Sequence, residues 1–201
     1  LDQFVGAFQV PVSNVGVTCT SLYPPGSVVR CGEAIAVGEK PTLAIISASA
    51  SAQMAVAESL LNIFSANVSS LKRVKLSANW MVAPGSETEL YEAVKAIGLE
   101  LCPELGISIP VGKDSMSMKM KWDSKEVSSP VSLVITAFAP VDNTALTWTP
   151  ELKKKDDTLL VVVDLASEFQ KSLGGSALFQ VYKQLSDACP MVYDAKILKG
   201  L

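Results

Sequence analysis

The chain has 201 residues, with 17 Lys and Arg against 20 Asp and Glu, 49% hydrophobic residues and 18% charged ones. That supports one large domain, or one domain and part of another, and argues against disorder or a basic nucleic-acid-binding surface. No apolar run reaches the ~18 residues of a membrane span, and Leu1-Asp2-Gln3 lacks the basic start of a leader peptide.

There is no histidine. Ser–His and Cys–His nucleophilic sites and His-ligated metals are therefore excluded within this sequence. The chemistry left belongs to carboxylates, amides, lysines, backbone groups and hard cations such as magnesium. Cys19, Cys31, Cys102 and Cys189 fit no CxxC pattern and suit a reducing cytoplasm.

In chain order, strands and helices alternate. Val10–Thr20 reads as a strand and Tyr23-Pro24-Pro25-Gly26 as a turn. Gly32-Glu33 and Gly38-Glu39 read as turn residues. Thr42–Ile46 is a short apolar run that suits a buried strand, and Ala48–Ser65 reads as a helix. Val74–Asn79 is strand-like. Ser86–Cys102 reads as a helix with a Ser86/Glu89 capping box and an apolar stripe of Leu90, Val94, Ile97 and Leu101. Ser108–Gly112 and Val131–Phe138 read as strands. Met116, Met118 and Met120 alternate with polar residues, which predicts one strand face packed in the core. Residues 146–157 carry Lys153-Lys154-Lys155 and read as a linker, followed by a buried strand over Thr158–Asp164. A helix over Gly174–Asp187 opens on Gly174-Gly175-Ser176, which serves either as an N-cap turn or as an anion-binding helix start. The fold class is α/β (α+β), with one domain over 1–145 and the beginning of another over 158–201.

Glu58 and Asn62 form the constellation best suited to chemistry. Glu58 is the one charged residue between Pro41 and Leu71. On a helix Glu58 and Asn62 share a face at i and i+4, beside the small residues Ser51, Ala55 and Ser65. A carboxylate and an amide oxygen are plausible magnesium ligands; the competing reading is the polar side of an amphipathic helix. Gly112-Lys113-Asp114-Ser115 follows a strand, where α/β folds place ligand contacts. Lys113, Asp114 and Ser115 are therefore candidate nucleotide contacts, against the alternative of a charged surface turn. The run is not a Walker A loop, because Gly106 is one residue too far and Asp114 stands where Ser or Thr should follow Lys.

Four long runs carry a family resemblance: Gly32–Glu39 (GEAIAVGE), Lys75–Met81 (KLSANWM), Glu100–Pro103 (ELCP) and Ile109–Met118 (IPVGKDSMSM). Together, and in order, they resemble the large single-chain phosphoribosylformylglycinamidine synthase family, across essentially the whole chain. The resemblance implies an aminoimidazole ribonucleotide synthetase-like fold, from the second of two such repeats. It implies a part in the ATP-dependent, glutamine-using conversion of formylglycinamide ribonucleotide to the amidine. The family's glutamate and asparagine four residues apart, which bind magnesium beside ATP or ADP, fall on Glu58 and Asn62. The family's third ligand, an aspartate, falls on Asn14, and a nucleotide contact falls on Ser13. Asn14 keeps an oxygen but loses the negative charge. Ala7-Phe8 departs from an expected Pro-Trp, and Leu1 from an Arg before Asp-Gln. The partners implied are the first repeat and a glutaminase domain of the same polypeptide, with the glutaminase triad outside these 201 residues. The resemblance also implies apolar surface where the other repeat packs, and no product formation by this chain by itself. Two other readings stand beside this one: a scaffold role for the nucleotide, and a selenophosphate synthetase or thiamine-monophosphate kinase relative.

Overall fold

The computed structural model describes residues 13–20, 30–152, 156–166 and 171–200. The turn expected at Tyr23–Gly26, the Lys153–Lys155 run and the departures at Leu1, Ala7 and Phe8 lie outside these residues, as does the start of the strand expected from Val10.

A five-stranded mixed sheet has the order β1-β2-β7-β3-β4. Its strands are β1 (Val15–Cys19), β2 (Gly32–Glu39), β3 (Lys75–Met81), β4 (Ser108–Ser115) and β7 (Ser132–Val141). β3 and β4 run parallel, and every other pair in the sheet is antiparallel. A separate hairpin joins β5 (Lys119–Trp122) to β6 (Lys125–Ser128). Helix α1 (Ala48–Ile63) lies across β2 and β7, with α2 (Glu87–Lys95) beside it.

Side-chain alternation explains the layering. In β2, Ala34, Ala36 and Gly38 turn inward while Ile35 and Val37 turn outward. The inward residues are small, so α1 can approach the strand closely. A Cβ on Gly38 would stand 2.1 Å from the Ala55 carbonyl oxygen and 2.5 Å from the Ser59 nitrogen. Val56, Leu60 and Ile63 of α1 are fully buried in one cluster with Leu76, Ile97 and Ile135. Among the described residues the opposite face of the sheet carries no helix, and it exposes Ile35, Val37, Phe138 and Val111.

Several elements differ from expectation. Gly32 opens a strand and Gly38 lies within it, next to its end, rather than forming turns. The strand was hidden because its alternation is of small against large apolar residues, not of apolar against polar. Pro41–Ile45 is a 3₁₀ turn, not a strand. The second helix begins without a bond from the Ser86 side chain; Glu87 instead accepts the Gly85 N–H at 3.1 Å. This helix widens to a π-helical stretch over Ala96–Leu101 before α3 (Cys102–Leu105). Pro103 supplies the reason, since it has no N–H and its ring crowds the preceding turn. Ala93, not Val94, joins Ile97 and Leu101 in the core.

Met116 and Met120 are exposed rather than packed in the core. The β5–β6 hairpin, which carries Met120, stands outside the main sheet, and among the described residues no layer packs on its faces. Leu159–Val163 is exposed and forms no strand. Among the described residues no second strand lies beside it to complete a hydrogen-bond ladder. Residues 174–187 contain only the five-residue α4 (Ala177–Val181), capped where the Ser176 hydroxyl accepts the Phe179 N–H at 3.2 Å. The last helix, α5 (Ala195–Lys199), brings Ala195 and Leu198 into the main core. No helix is long and apolar enough to cross a membrane among the described residues.

Candidate functional site

The site grows from the place where β2 outruns its neighbour. The β1–β2 ladder ends at the Val15–Ala36 pair, leaving Val37 to Glu39 beyond it. Backbone groups beyond the ladder have lost their strand partners on that side, and α1 supplies two. Asn62 Nδ2 donates to the Val37 carbonyl at 2.9 Å. The Glu58 Oε2 accepts the Glu39 N–H at 2.7 Å, and its Oε1 is paired with the Lys40 ammonium. Ser51 Oγ donates to the Lys40 carbonyl at 2.7 Å. The small and polar face of α1 is thus not a solvated surface: it packs on β2 and fastens it.

Asn62 bridges to a second feature. A cavity of about 250 Å³ is lined by Ser13, Asn14, Leu61, Asn62, Ser65 and the segment Trp148–Pro150. Asn62 Nδ2 is committed to Val37, which leaves the carboxamide oxygen as the group still able to accept or ligate. Ser13 is locked locally, its hydroxyl lying 3.3 Å from the Val15 carbonyl oxygen. Glu58 stands one helical turn earlier and is not part of this lining. Among the described residues no three Cys, Asp or Glu side chains converge to hold a metal. A cation here would therefore draw on amide oxygens as much as on charge, and the donor set is one of hard oxygens that suits magnesium.

Lys113, Asp114 and Ser115 are placed elsewhere. They end β4, the edge opposite β1. At ~4.8 Å between strands, β4 lies about 19 Å from β1 across the sheet. Lys113 pairs with Asn79, which faces away from α1, and Lys113 Nζ donates to Ser115 Oγ at 2.6 Å. The structure joins Ser13, Asn14 and Asn62, sets Glu58 next to them, and keeps the Lys113–Ser115 group apart. Lys40 was missed from sequence, because nothing local marks it as the partner of a residue 18 positions away.

A larger apolar cavity of about 450 Å³ lies between Met54, Ala57 and Leu61 of α1 and residues 190–194. Its single acid, Asp194, caps α5 by accepting the Lys196 N–H at 2.8 Å, so this cavity offers no comparable chemistry.

The FGAR-AT PurM_N-like domain family matches residues 1–140. The chain belongs to this family. Among curated relatives of this FGAR-AT PurM_N-like chain, phosphoribosylformylglycinamidine synthase of Saccharomyces cerevisiae is 62% identical over 204 residues, covering 99% of the chain and 15% of the yeast protein. The Schizosaccharomyces pombe protein of the same name is 56% identical over 199 residues, covering 94% and 15%. The chain thus spans about 15% of the length of these relatives. PurLQS from Thermotoga maritima shares the fold, with a TM-score of 0.51 over 69% of this chain and 21% of that one, at 17% identity.

Proposed function

We propose that this chain serves as a segment of a phosphoribosylformylglycinamidine synthase, the ligase that makes formylglycinamidine ribonucleotide from formylglycinamide ribonucleotide, glutamine and ATP. Its own contribution is a magnesium–nucleotide site built from Asn14, Glu58 and Asn62, with Ser13 beside the nucleotide. The observation that carries this is the meeting of Ser13 and Asn14 with Asn62 around one cavity, although 48 residues separate Asn14 from Asn62 in the chain. Identity of 62% to the yeast enzyme along 99% of the chain supports the activity class and sets aside the other superfamily members.

When bound, magnesium supplies charge neutralisation for the nucleotide phosphates. The chain's own residues do the rest. Asn62 ties its amide to Val37, so its oxygen is oriented before any ligand arrives. Glu58 is the one acid of the set, and Asn14 adds an oxygen without charge. A set with one carboxylate and two amides suits a resident, stabilising nucleotide better than a site of turnover, and we favour that scaffold role. Lys113 and Ser115 face the side of the sheet away from α1, whereas Asp114, in register with Trp80, lies on the other face of the β4 edge. Any nucleotide contact these residues make belongs to a different surface from the Asn14–Asn62 cavity.

The exposed apolar residues Ile35, Val37, Phe138 and Val111 mark the face on which the other repeat of the same polypeptide would pack. Residues 1–145 would form one subdomain, 146–157 a linker and 158–201 the opening of the next. The setting would be cytoplasmic. Glu58→Ala in the full-length protein separates the two roles. Under the scaffold role, bound nucleotide and stability fall while activity per folded molecule stays near normal. A large loss of kcat in a stable, nucleotide-loaded protein would overturn it.

A further inference from the structure

The carboxylate proposed as a cation ligand already holds a cation of the protein's own. Lys40 Nζ pairs with one oxygen of Glu58, and the Glu39 N–H occupies the other. The arrangement is lopsided in what it fixes. The Lys40 backbone is anchored: its carbonyl accepts the Ser51 hydroxyl at 2.7 Å and the Leu43 N–H at 3.2 Å. The Lys40 ammonium, by contrast, rides on a flexible four-carbon stem, and both side chains of the pair are about one-third exposed, at 35% and 30%.

We propose that Lys40 is an exchangeable counter-ion: its ammonium holds Glu58 in the absence of metal, and a divalent cation must displace it to reach the carboxylate. This rests on the reading of Glu58 as a cation ligand. Three physical points support it. An ion pair this exposed is weakly held, so release is easy. Because the backbone of Lys40 is independently fastened, the ammonium can swing out without moving β2. The Glu39 N–H keeps the carboxylate aimed while the other oxygen changes partner. Lys40 therefore acts as a positioning and competing residue that lowers cation affinity and keeps Glu58 from standing unpaired.

Manganese(II) is the probe, with free ion followed by electron paramagnetic resonance on the full-length protein. Lys40→Met removes both the competitor and a repelling charge, and should bind manganese about two- to fivefold more tightly. Lys40→Arg keeps a competing cation and should bind no more tightly than the wild type. Glu58→Gln should lose most of the binding. If Lys40→Met binds equally or more weakly while Glu58→Gln still abolishes binding, the exchange is overturned and the metal site stands. If Glu58→Gln binds like the wild type, the metal reading itself fails and the exchange falls with it. A second measurement needs no variant: acetylation of Lys40 by acetic anhydride, read by mass spectrometry, should rise when manganese is added. Unchanged or reduced labelling at saturating manganese would contradict the exchange.

Discussion

Glu58 of α1 accepts the backbone N–H of Glu39 of β2 at 2.7 Å, at the point where β2 has run past the end of β1. One side chain thereby finishes a strand and becomes the acid of the candidate site. Removing it should expose both roles separately. Glu58→Ala leaves the Glu39 N–H without its acceptor and should destabilise the protein by about 1 kcal/mol, with partial exposure keeping the figure low. Glu58→Gln retains an acceptor and should cost less. Urea unfolding midpoints at unchanged slope would report both values.

Gly38 marks a close approach of α1 to β2. An added methyl would meet two backbone atoms of α1, at 2.1 and 2.5 Å, neither of which can rotate away. Gly38→Ala should therefore force the helix off the strand and cost about 1–3 kcal/mol, as overpacking does. It should also weaken any ligand binding at Asn62, since the Asn62–Val37 bond spans the same joint. Denaturation combined with nucleotide binding would check this.

Arg73 and Asp142 make an exposed pair at 2.6 Å. The Arg73 hydrogen bond, with one from Ser69, holds the Asp142 carboxyl below the ordinary aspartate range. A depressed folded-state pKa contributes stability above the unfolded value of ~3.9 and loses it as pH falls through the folded value. Arg73→Gln should thus have a lower Tm than the wild type near neutral pH. The gap should close as the solution is acidified below about pH 4.

Cysteine reactivity should divide by burial. Burial pushes the Cys102 thiol up to about 11, whereas Cys31 is exposed. Iodoacetamide at pH 8 should label Cys31 in the native protein and spare Cys102 until denaturant is added. Peptide mass spectrometry reads the outcome directly.

Much of the frame was legible because its signals were local. Helix α1 stood out as a run with one acid among small and apolar residues. β3, β4 and β7 stood out as apolar runs, and Glu58 with Asn62 as an i, i+4 pair. What failed depended on distant partners. Gly32 and Gly38 looked like turn residues because the reason for a glycine in the strand is a neighbouring backbone: Thr18 for one and Ala55 for the other. Leu159–Val163 has strand composition, yet a strand exists only with a neighbour to bond. The methionine alternation was real, but Met120 stands on a hairpin that no layer covers among the described residues, and Met116 lies exposed before it. Lys40 had no visible signal, since its role is set by how α1 folds back over the end of β2.

The central claim, a cation held by Asn14, Glu58 and Asn62, is tested most directly by locating the ion. Crystals of the full-length protein grown with manganese and ADP, measured at the manganese absorption edge, should show an anomalous peak within ligand distance of oxygens of Glu58 and Asn62, beside Asn14. With nucleotide visible elsewhere and no manganese at these residues, the claim would be contradicted.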